Sequence, residues 1–146
     1  MRTNTQLESC GAEFLVLGNL LRRRIQAFIT SQNFEDYDIV ATNPDKNTSI
    51  KIQVKSRFKE SDKSFIIKKF GSEFVVFVRL NCARKRIKKL VYECRLPPDF
   101  YVFPTKLCKK YNQGGKWHKV HLRDIPRSDR YKDNFDLIRN KLGLIK

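Results

Sequence analysis

The sequence predicts an α/β fold in which helices flank a mixed β-sheet, and three observations support this prediction. Apolar side chains recur at helical spacing near the start of the chain. The middle of the chain either alternates apolar with polar residues or runs continuously apolar, as strands do. A second helical pattern ends the chain. Because the 146 residues contain no internal repeat, one domain over residues 1–146 is expected.

The first helix is predicted over residues 6–24. Thr5 and Glu8 have the spacing of a capping box, in which the two side chains satisfy each other's backbone donors. Glu13 lies beside the apolar stripe that is expected to face the core. That stripe recurs at steps of three and four residues and consists of Leu7, Cys10, Phe14, Leu17 and Leu21.

The clearest strand is predicted over residues 49–56, where apolar and polar residues alternate strictly. Gln53 and Lys55 therefore project from one face of this strand, and Ile52 projects from the other. An antiparallel hairpin is expected to join it to the strand that contains Asp38. The elements predicted before it are strands over residues 25–30 and 36–41 and a turn at 43–47.

The second half of the chain is predicted to add a central strand and several short elements. Residues 74–80 are continuously apolar, which is typical of a strand buried on both faces. The basic residues 81–89 are predicted to form a loop, within an insertion over about 82–95. Gly143 is expected to end the last helix. The other predicted elements are strands over residues 64–68, 90–94, 100–103 and 117–122 and helices over 105–111 and 133–142.

The charge indicates a polyanionic partner. Lys and Arg number 31 against 15 Asp and Glu, which gives a net charge of +16. The excess lies after residue 50, and residues 51–95 alone hold 14 basic and 4 acidic side chains. Phosphate neutralisation by such cations favours nucleic acid over an anionic membrane surface. No apolar run approaches the ~20 residues that cross a bilayer, and no signal segment is recognised, so a cytoplasmic protein associated with the nucleoid is expected.

Cysteines stand at positions 10, 82, 94 and 108, with no CxxC pair. Paired cysteines at close spacing are typical of zinc sites, so zinc is not expected here. For a cytoplasmic chain, this spacing predicts reduced and mostly buried thiols.

Four polar residues are expected to meet at one end of the sheet. Asp38 and Gln53 supply oxygen atoms from the two strands of the hairpin, and Glu13 supplies a carboxylate from the first helix. Oxygen ligands suit Mg²⁺, and the ammonium of Lys55 suits an attacking water or a phosphate. The alternative is structural: an ordinary half-exposed strand, with Asp38 capping a turn and Glu13 on the surface.

The order Glu13, Asp38 and Gln53-Val54-Lys55 resembles the motif of the PD-(D/E)XK nuclease superfamily, which has the restriction-endonuclease-like fold. The strings YDIV and IKIQVKS match its acidic and QXK strands, and PPDFYVFPTK and YKDNFDLI look like the downstream part of small bacterial members that include a homing endonuclease. The resemblance covers about residues 5–140 and is weakest at 82–95. Tyr37 stands where the family pattern has Pro, and Gln53 replaces its second acid.

The resemblance implies a Mg²⁺-dependent endonuclease of duplex DNA, with Mn²⁺ as a substitute, that cuts at specific sites like a homing or restriction enzyme. Asp38 would be the principal metal ligand, completed by Glu13 and Gln53. Lys55 would act at the attacking water and the scissile phosphate. The products implied are a 5′-phosphate and a 3′-hydroxyl. A homodimer or higher homo-oligomer is expected, because cutting both strands needs two sites.

Basic clusters are candidates for phosphate contacts, which position a duplex without reading its sequence. They comprise Arg22, Arg23, Arg24, Lys51, Arg57, Lys59, Lys68, Lys69, Arg84, Lys85, Arg86, Lys88 and Lys89. Three alternatives remain open at this point. They are a structure-specific endonuclease that cuts Holliday junctions, a catalytically inactive DNA- or RNA-binding module with the same fold, and a basic structural protein of a ribonucleoprotein.

Overall fold

The computed structural model describes residues 5–31, 36–86, 88–115 and 117–144. Short 3₁₀ turns at Pro44–Lys46, Leu122–Asp124 and Ser128–Tyr131 connect its main elements. The helices and strands, in chain order, are α1 (Thr5–Arg22), β1 (Gln26–Ile29), β2 (Ile39–Asn43), β3 (Thr48–Lys59), β4 (Ser64–Ile66), β5 (Phe74–Arg86), β6 (Leu90–Cys94), β7 (Asp99–Pro104), α2 (Thr105–Lys110), β8 (Lys119–His121) and α3 (Asp136–Leu142).

A mixed six-stranded sheet forms the centre of the molecule, which confirms the predicted fold class. Its order is β1-β2-β3-β5-β6, and β7 also pairs with β5. Strand β2 pairs antiparallel with both β1 and β3, whereas β3 and β5 are parallel. The hairpin predicted between the strands of Asp38 and Gln53 is therefore confirmed as β2–β3. A separate two-stranded sheet pairs β4 with β8.

Strand β5 is the strand with the most partners in the sheet, because it pairs with β3, β6 and β7. Its apolar first half is buried on both faces, as the continuous apolar run predicts. Val76 belongs to a core beneath α1, together with Val16 and Ile52. Phe77 belongs to a second core on the opposite face, where its ring stacks on Phe65 at 4.9 Å between centroids.

The basic segment after residue 80 forms a hairpin, so the predicted loop over 81–89 is wrong. Strand β5 continues to Arg86, and β6 returns antiparallel to it. Tertiary contacts explain the strand: the Arg84 guanidinium lies 4.1 Å from the Phe58 ring centroid and pairs with Glu8. Strands β6 and β7 lie end to end along β5, interrupted near Pro97, whose carbonyl accepts a hydrogen bond from Asn81.

Helix α1 buries a different face from the predicted one. Its buried residues are Ala12, Val16 and Leu20, which pack on β3 and β5. The predicted stripe is largely exposed, at 71% for Leu7, 60% for Phe14 and 48% for Leu21; Cys10 is exposed and Leu17 half-buried. Both sets have helical spacing, and the small side chain of Ala12 lets the helix lie close to the sheet.

The prediction of reduced and mostly buried thiols is wrong in both parts, because two of the four cysteines are bonded to each other and two, Cys10 and Cys94, are exposed. Cys82 and Cys94 face each other across the β5–β6 hairpin and form a disulfide. Cys10 is a free, exposed thiol, and Cys108 is free and buried. Burial raises the pKa of Cys108 to about 12.

The remaining elements match the predictions, with shifted ends. Helix α1 ends at Arg22, since Arg24 has a left-handed φ of 63° and the chain turns there into β1. Helix α2 begins at Thr105, as predicted, and ends at Lys110. Gly143 ends α3 with a φ of 71°, as predicted. Among the described residues, no helix is long and apolar enough to cross a membrane.

Candidate active site

Asp38 is held at the start of β2 by contacts with both neighbouring strands. The β2–β3 pairing sets Ile39 opposite Ile52, so the preceding residue, Asp38, comes opposite Gln53. The Asp38 N–H donates to the Ile52 carbonyl at 2.9 Å, and the Asp38 carbonyl accepts from the Thr30 N–H at 2.9 Å. Its Oδ2 accepts a hydrogen bond from the Val54 N–H at 2.7 Å. The carboxylate is therefore fixed beside the Gln53-Val54-Lys55 segment.

Gln53 is 5% exposed, and its side-chain carbonyl is unusual in having no partner. Strand alternation sets it on the face opposite Ile52 and Val54, which pack toward α1. Its Oε1 is buried, and no group among the described residues donates a hydrogen bond to it. Buried acceptors are normally hydrogen-bonded. The unpaired Oε1 is therefore suited to coordinate a cation, which is not part of the polypeptide.

Glu13 contributes the second carboxylate from α1. It is half-buried, and both burial and the charge of Asp38 raise its pKa. Burial also raises the pKa of Asp38, against the hydrogen bond from Val54 and the charge of Lys55, which lower it. Both carboxylates are costly to ionise in the folded protein, and a bound cation would offset that cost. The pair therefore favours cation binding.

Lys55 is half-buried on the same face of β3 as Gln53. Burial lowers the pKa of its ammonium, the charge of Asp38 raises it, and the charge of Lys68 lowers it further. Lys68 is itself exposed, just after β4. A second cation thus stands near Lys55, although the sequence suggested Lys68 only as one of many phosphate contacts.

A surface cavity of about 560 Å³ opens beside the two carboxylates. Glu13 and Asp38 line it, with Thr30 from the end of β1 and Cys10 and Phe14 from α1. Gln53 and Lys55 are not among its lining residues. The structure therefore brings Glu13 and Asp38 together at this cavity, and Lys55 lies near enough to Asp38 for their charges to interact, whereas Gln53 lies on the face of β3 away from α1.

The donor set fits Mg²⁺ better than a softer metal. Among the residues that the structure describes, no three His, Cys, Asp or Glu side chains group into a metal cluster. The cavity offers two carboxylates, and the unsatisfied amide oxygen of Gln53 lies on the other face of β3; all three groups are the hard oxygen donors that Mg²⁺ prefers.

The basic side chains differ in how far they are free for phosphate. Several are engaged within the fold: Arg23 lies over the Phe135 ring, Arg57 pairs with Asp62, and Lys85 pairs with Glu93. Arg84 is held by Glu8 and Phe58, and Lys51 lies 4.9 Å from the Tyr37 ring centroid. Ten members of the predicted set are exposed, and Lys51 and Lys85 among them make the contacts just given: Arg22, Arg24, Lys51, Lys59, Lys68, Lys69, Lys85, Arg86, Lys88 and Lys89.

Asp36, close in sequence to Asp38, was not predicted from the sequence to matter for the site. Asp36, two positions before Asp38, packs so closely on Gly71 that a Cβ there would lie 2.7 Å from the Asp36 Cβ. The contact fixes the loop between β4 and β5, which carries Lys68. An acid two residues from a candidate ligand, and a lone glycine before a buried strand, were the available signals.

Comparison with solved structures finds proteins of similar fold. The chain is similar to the solved structure of a bacterial homing endonuclease, I-Ssp6803I, with a TM-score of 0.62 and 21% sequence identity, covering 96% of each chain. No protein-family model matches the sequence. No curated protein matches it either. The similarity shows that the two chains share a fold over nearly their whole length.

Proposed function

We propose that this chain is a Mg²⁺-dependent DNA endonuclease of the PD-(D/E)XK superfamily, which hydrolyses phosphodiester bonds of duplex DNA at specific sites. The observation that carries the proposal is the buried, unpartnered Oε1 of Gln53, opposite Asp38 in the β2–β3 pairing. The similarity to a bacterial homing endonuclease over 96% of each chain and the net charge of +16 support the same proposal.

Asp38, Glu13 and Gln53 would hold the metal ion. When bound, Mg²⁺ lowers the pKa of a coordinated water and offsets negative charge on the phosphate. The backbone N–H of Val54 keeps the Asp38 carboxylate in place through a hydrogen bond to Oδ2. The neutral amide of Gln53 adds an oxygen donor without adding a third mutually repelling charge.

Lys55 would act on the phosphate and on the attacking water. Its ammonium, which the charge of Asp38 favours, would stabilise the charge that develops on the phosphoryl oxygens. Water adds to phosphorus and the bond to the 3′ oxygen breaks. The 3′ oxygen takes a proton, which leaves a 5′-phosphate and a 3′-hydroxyl.

The exposed cations would position the duplex around this site. Lys68 and Lys69 lie on the loop that reaches the site, and Lys88 and Lys89 lie at the turn of the β5–β6 hairpin. Such contacts fix the register of a duplex, while specificity requires further contacts with base edges.

Cleavage of supercoiled plasmid tests the proposal. At low salt, the chain should nick or linearise plasmid with Mg²⁺ or Mn²⁺ but not with EDTA. A four-way junction and a linear duplex of the same sequence, assayed in the same buffers, distinguish site-specific from junction-specific cutting. Binding of all three substrates, with cleavage of none at any metal concentration, would contradict the proposal.

A second candidate is a catalytically inactive DNA-binding module. The amide at Gln53 favours it, because an amide binds a divalent cation more weakly than a carboxylate does. If the chain is a binding module, its DNA binding should be salt-sensitive and unchanged by Mg²⁺. If it is an endonuclease, Mg²⁺ should stabilise the protein in the absence of DNA.

A further inference from the structure

The only tryptophan of the chain lies on the surface, in the turn that leads into β8. Trp117 is 60% exposed, although tryptophan has more apolar surface to bury than almost any other side chain. A single exposed aromatic side chain has no functional meaning by itself. The backbone that carries this one and the charges beside it indicate a specific role.

Hydrogen bonds fix the turn that carries Trp117. The Asn112 side chain donates to the Ile67 carbonyl at 2.9 Å and accepts from the Gly114 N–H at 2.7 Å. The His118 N–H donates to the Gly114 carbonyl at 3.2 Å. Because the backbone is already held, the indole ring loses little conformational freedom when it binds a flat ligand.

Two lysines lie beside this turn. The antiparallel contacts of β4 with β8 continue to a hydrogen bond at 3.1 Å from the Ile67 N–H to the His118 carbonyl. The next residues along the two chains are Lys68 and Trp117, which are therefore neighbours, and Lys69 follows. Both lysines are exposed.

The two chain segments that meet at Trp117 are basic. Residues 105–123 contain six Lys and Arg and no Asp or Glu, and residues 63–72 contain three Lys and no acid. Lys109 of α2 also reaches this surface, since its Nζ lies 6.0 Å from the ring centroid of Phe70. Asp124, the first acid after these segments, accepts a hydrogen bond from a side-chain amide at 3.0 Å. The surface therefore favours an anionic ligand.

This basic surface adjoins the candidate active site. Lys68, the neighbour of Trp117, is close enough to Lys55 for its charge to act on the Lys55 ammonium. The charge of Asp38 acts on the same ammonium. A DNA strand with one phosphate at Lys55 would therefore pass Lys68 and then reach Trp117.

We infer that Trp117 stacks on an unpaired base of the DNA, beside phosphates that Lys68 and Lys69 contact. Sites for single-stranded nucleic acid combine cations that follow the backbone with an aromatic ring on which a base stacks. In a duplex, a base must leave the helix to reach such a ring, so this surface favours bulged, branched or locally opened DNA. The inference rests on the proposed function in taking DNA as the ligand, but it requires no cleavage.

Tryptophan fluorescence tests this inference, because all of the tryptophan emission comes from Trp117. In EDTA at low salt, saturating oligothymidylate, whose bases are unpaired, should quench the emission. A duplex with one bulged base should also quench it, whereas a fully paired duplex should bind with much less quenching. Emission that no DNA changes, or equal quenching by the paired and the bulged duplex, would overturn the inference.

The affinity of variants for oligothymidylate gives a second readout. Trp117→Ala should bind about 5- to 150-fold more weakly, as expected for the loss of one stacked base, and Trp117→Phe should lose little. Trp117→Leu keeps an apolar side chain without an aromatic face and should bind as weakly as Trp117→Ala. Phe28→Ala, which removes an exposed aromatic ring on β1, should keep the wild-type affinity. Wild-type affinity in Trp117→Ala or in Trp117→Leu would overturn the inference.

Plasmid cleavage by the same proteins separates this inference from the proposed function. Quenching by unpaired bases without any cleavage would support the inference and count against the endonuclease. Cleavage without quenching would support the endonuclease and overturn the inference. Circular dichroism confirms that each variant is folded.

Discussion

The Asp38 carboxylate accepts a hydrogen bond from the backbone N–H of Val54, with 2.7 Å between oxygen and nitrogen. Val54 separates Gln53 from Lys55, so one bond fixes the acid relative to both. The same bond lowers the pKa of Asp38, against the stronger effect of burial. Every residue except proline supplies this backbone donor, so the bond itself tolerates other substitutions at position 54.

Gln53→Leu should separate metal binding from folding. In the metal-free protein, the variant should be more stable by about 1 kcal/mol, because it removes a buried acceptor that has no partner. Mg²⁺ at 100 times its dissociation constant should stabilise the wild type by about 2.7 kcal/mol and leave Gln53→Leu nearly unchanged. Thermal unfolding with Mg²⁺ and with EDTA measures both effects. Equal Mg²⁺ stabilisation of the two proteins would exclude Gln53 as a ligand.

Glu13→Gln should make the protein more stable at neutral pH. Burial and the Asp38 charge raise the pKa of Glu13, so the folded state disfavours its ionised form. Stability from this group is present below its ordinary pKa of 4.5 and is lost as the pH rises through the folded value. The advantage of Glu13→Gln should therefore be largest at pH 7 and should shrink toward pH 4. Thermal unfolding at both pH values tests this; an advantage that grows in acid would contradict it.

The cleavage rate should fall in acid for the same reason. Protonation of Asp38 and Glu13 would remove the metal ligands, and both pKa values lie above the ordinary ones. The acid limb of the pH–rate profile should therefore lie above pH 4.5. The limb should change shape in Glu13→Gln, in which one of the two acids no longer titrates. A profile that is flat down to pH 4 would argue against these carboxylates as ligands.

Reduction of the Cys82–Cys94 disulfide should destabilise the protein by about 3 kcal/mol, as expected for a bond across 12 residues. The β5–β6 hairpin should loosen first, because the bond joins its two strands. Dithiothreitol should lower the unfolding temperature of the wild type. The matched control is the double variant Cys82→Ser/Cys94→Ser, whose unfolding temperature dithiothreitol should leave unchanged. Equal stability of the wild type with and without dithiothreitol would show that the bond contributes nothing.

Two glycines should respond oppositely to alanine. Gly71→Ala should destabilise by about 1–3 kcal/mol, because the new Cβ would overlap Asp36. Gly18→Ala, exposed within α1 with nothing within 4 Å of the new Cβ, should stabilise by about 1 kcal/mol. Urea unfolding of both variants measures the difference. A Gly71→Ala variant as stable as the wild type would show that the loop yields easily.

Local periodicity was sufficient to predict the strands that carry the site. The alternation around Gln53 and Lys55 matches β3, and the apolar run at residues 74–80 matches the buried half of β5. Both patterns are set by burial on one or two faces of a sheet, which each residue's neighbours in sequence already reveal. The hairpin that sets Asp38 opposite Gln53 followed from the short turn between their strands.

Features that depend on distant partners were not predictable in the same way. Helix α1 carries two apolar faces, and spacing alone does not tell which one the sheet covers. The basic residues of the β5–β6 hairpin are typical of a loop when only their neighbours in sequence are considered. The partners that stabilise Arg84 in a strand, Glu8 and Phe58, are distant in sequence. The pairing of Cys82 with Cys94 followed only once that hairpin was known.

The central claim is that Asp38 and Lys55 perform chemistry rather than hold DNA. The most direct measurement compares plasmid nicking rate with DNA affinity for the wild type, Asp38→Asn and Lys55→Met, with Lys141→Met on α3 as a charge-loss control. We predict that both site variants nick plasmid at least about 100-fold more slowly than the wild type, while their DNA affinity stays near that of the wild type. Wild-type nicking rates in Asp38→Asn and Lys55→Met, or equal losses of rate and affinity, would contradict it.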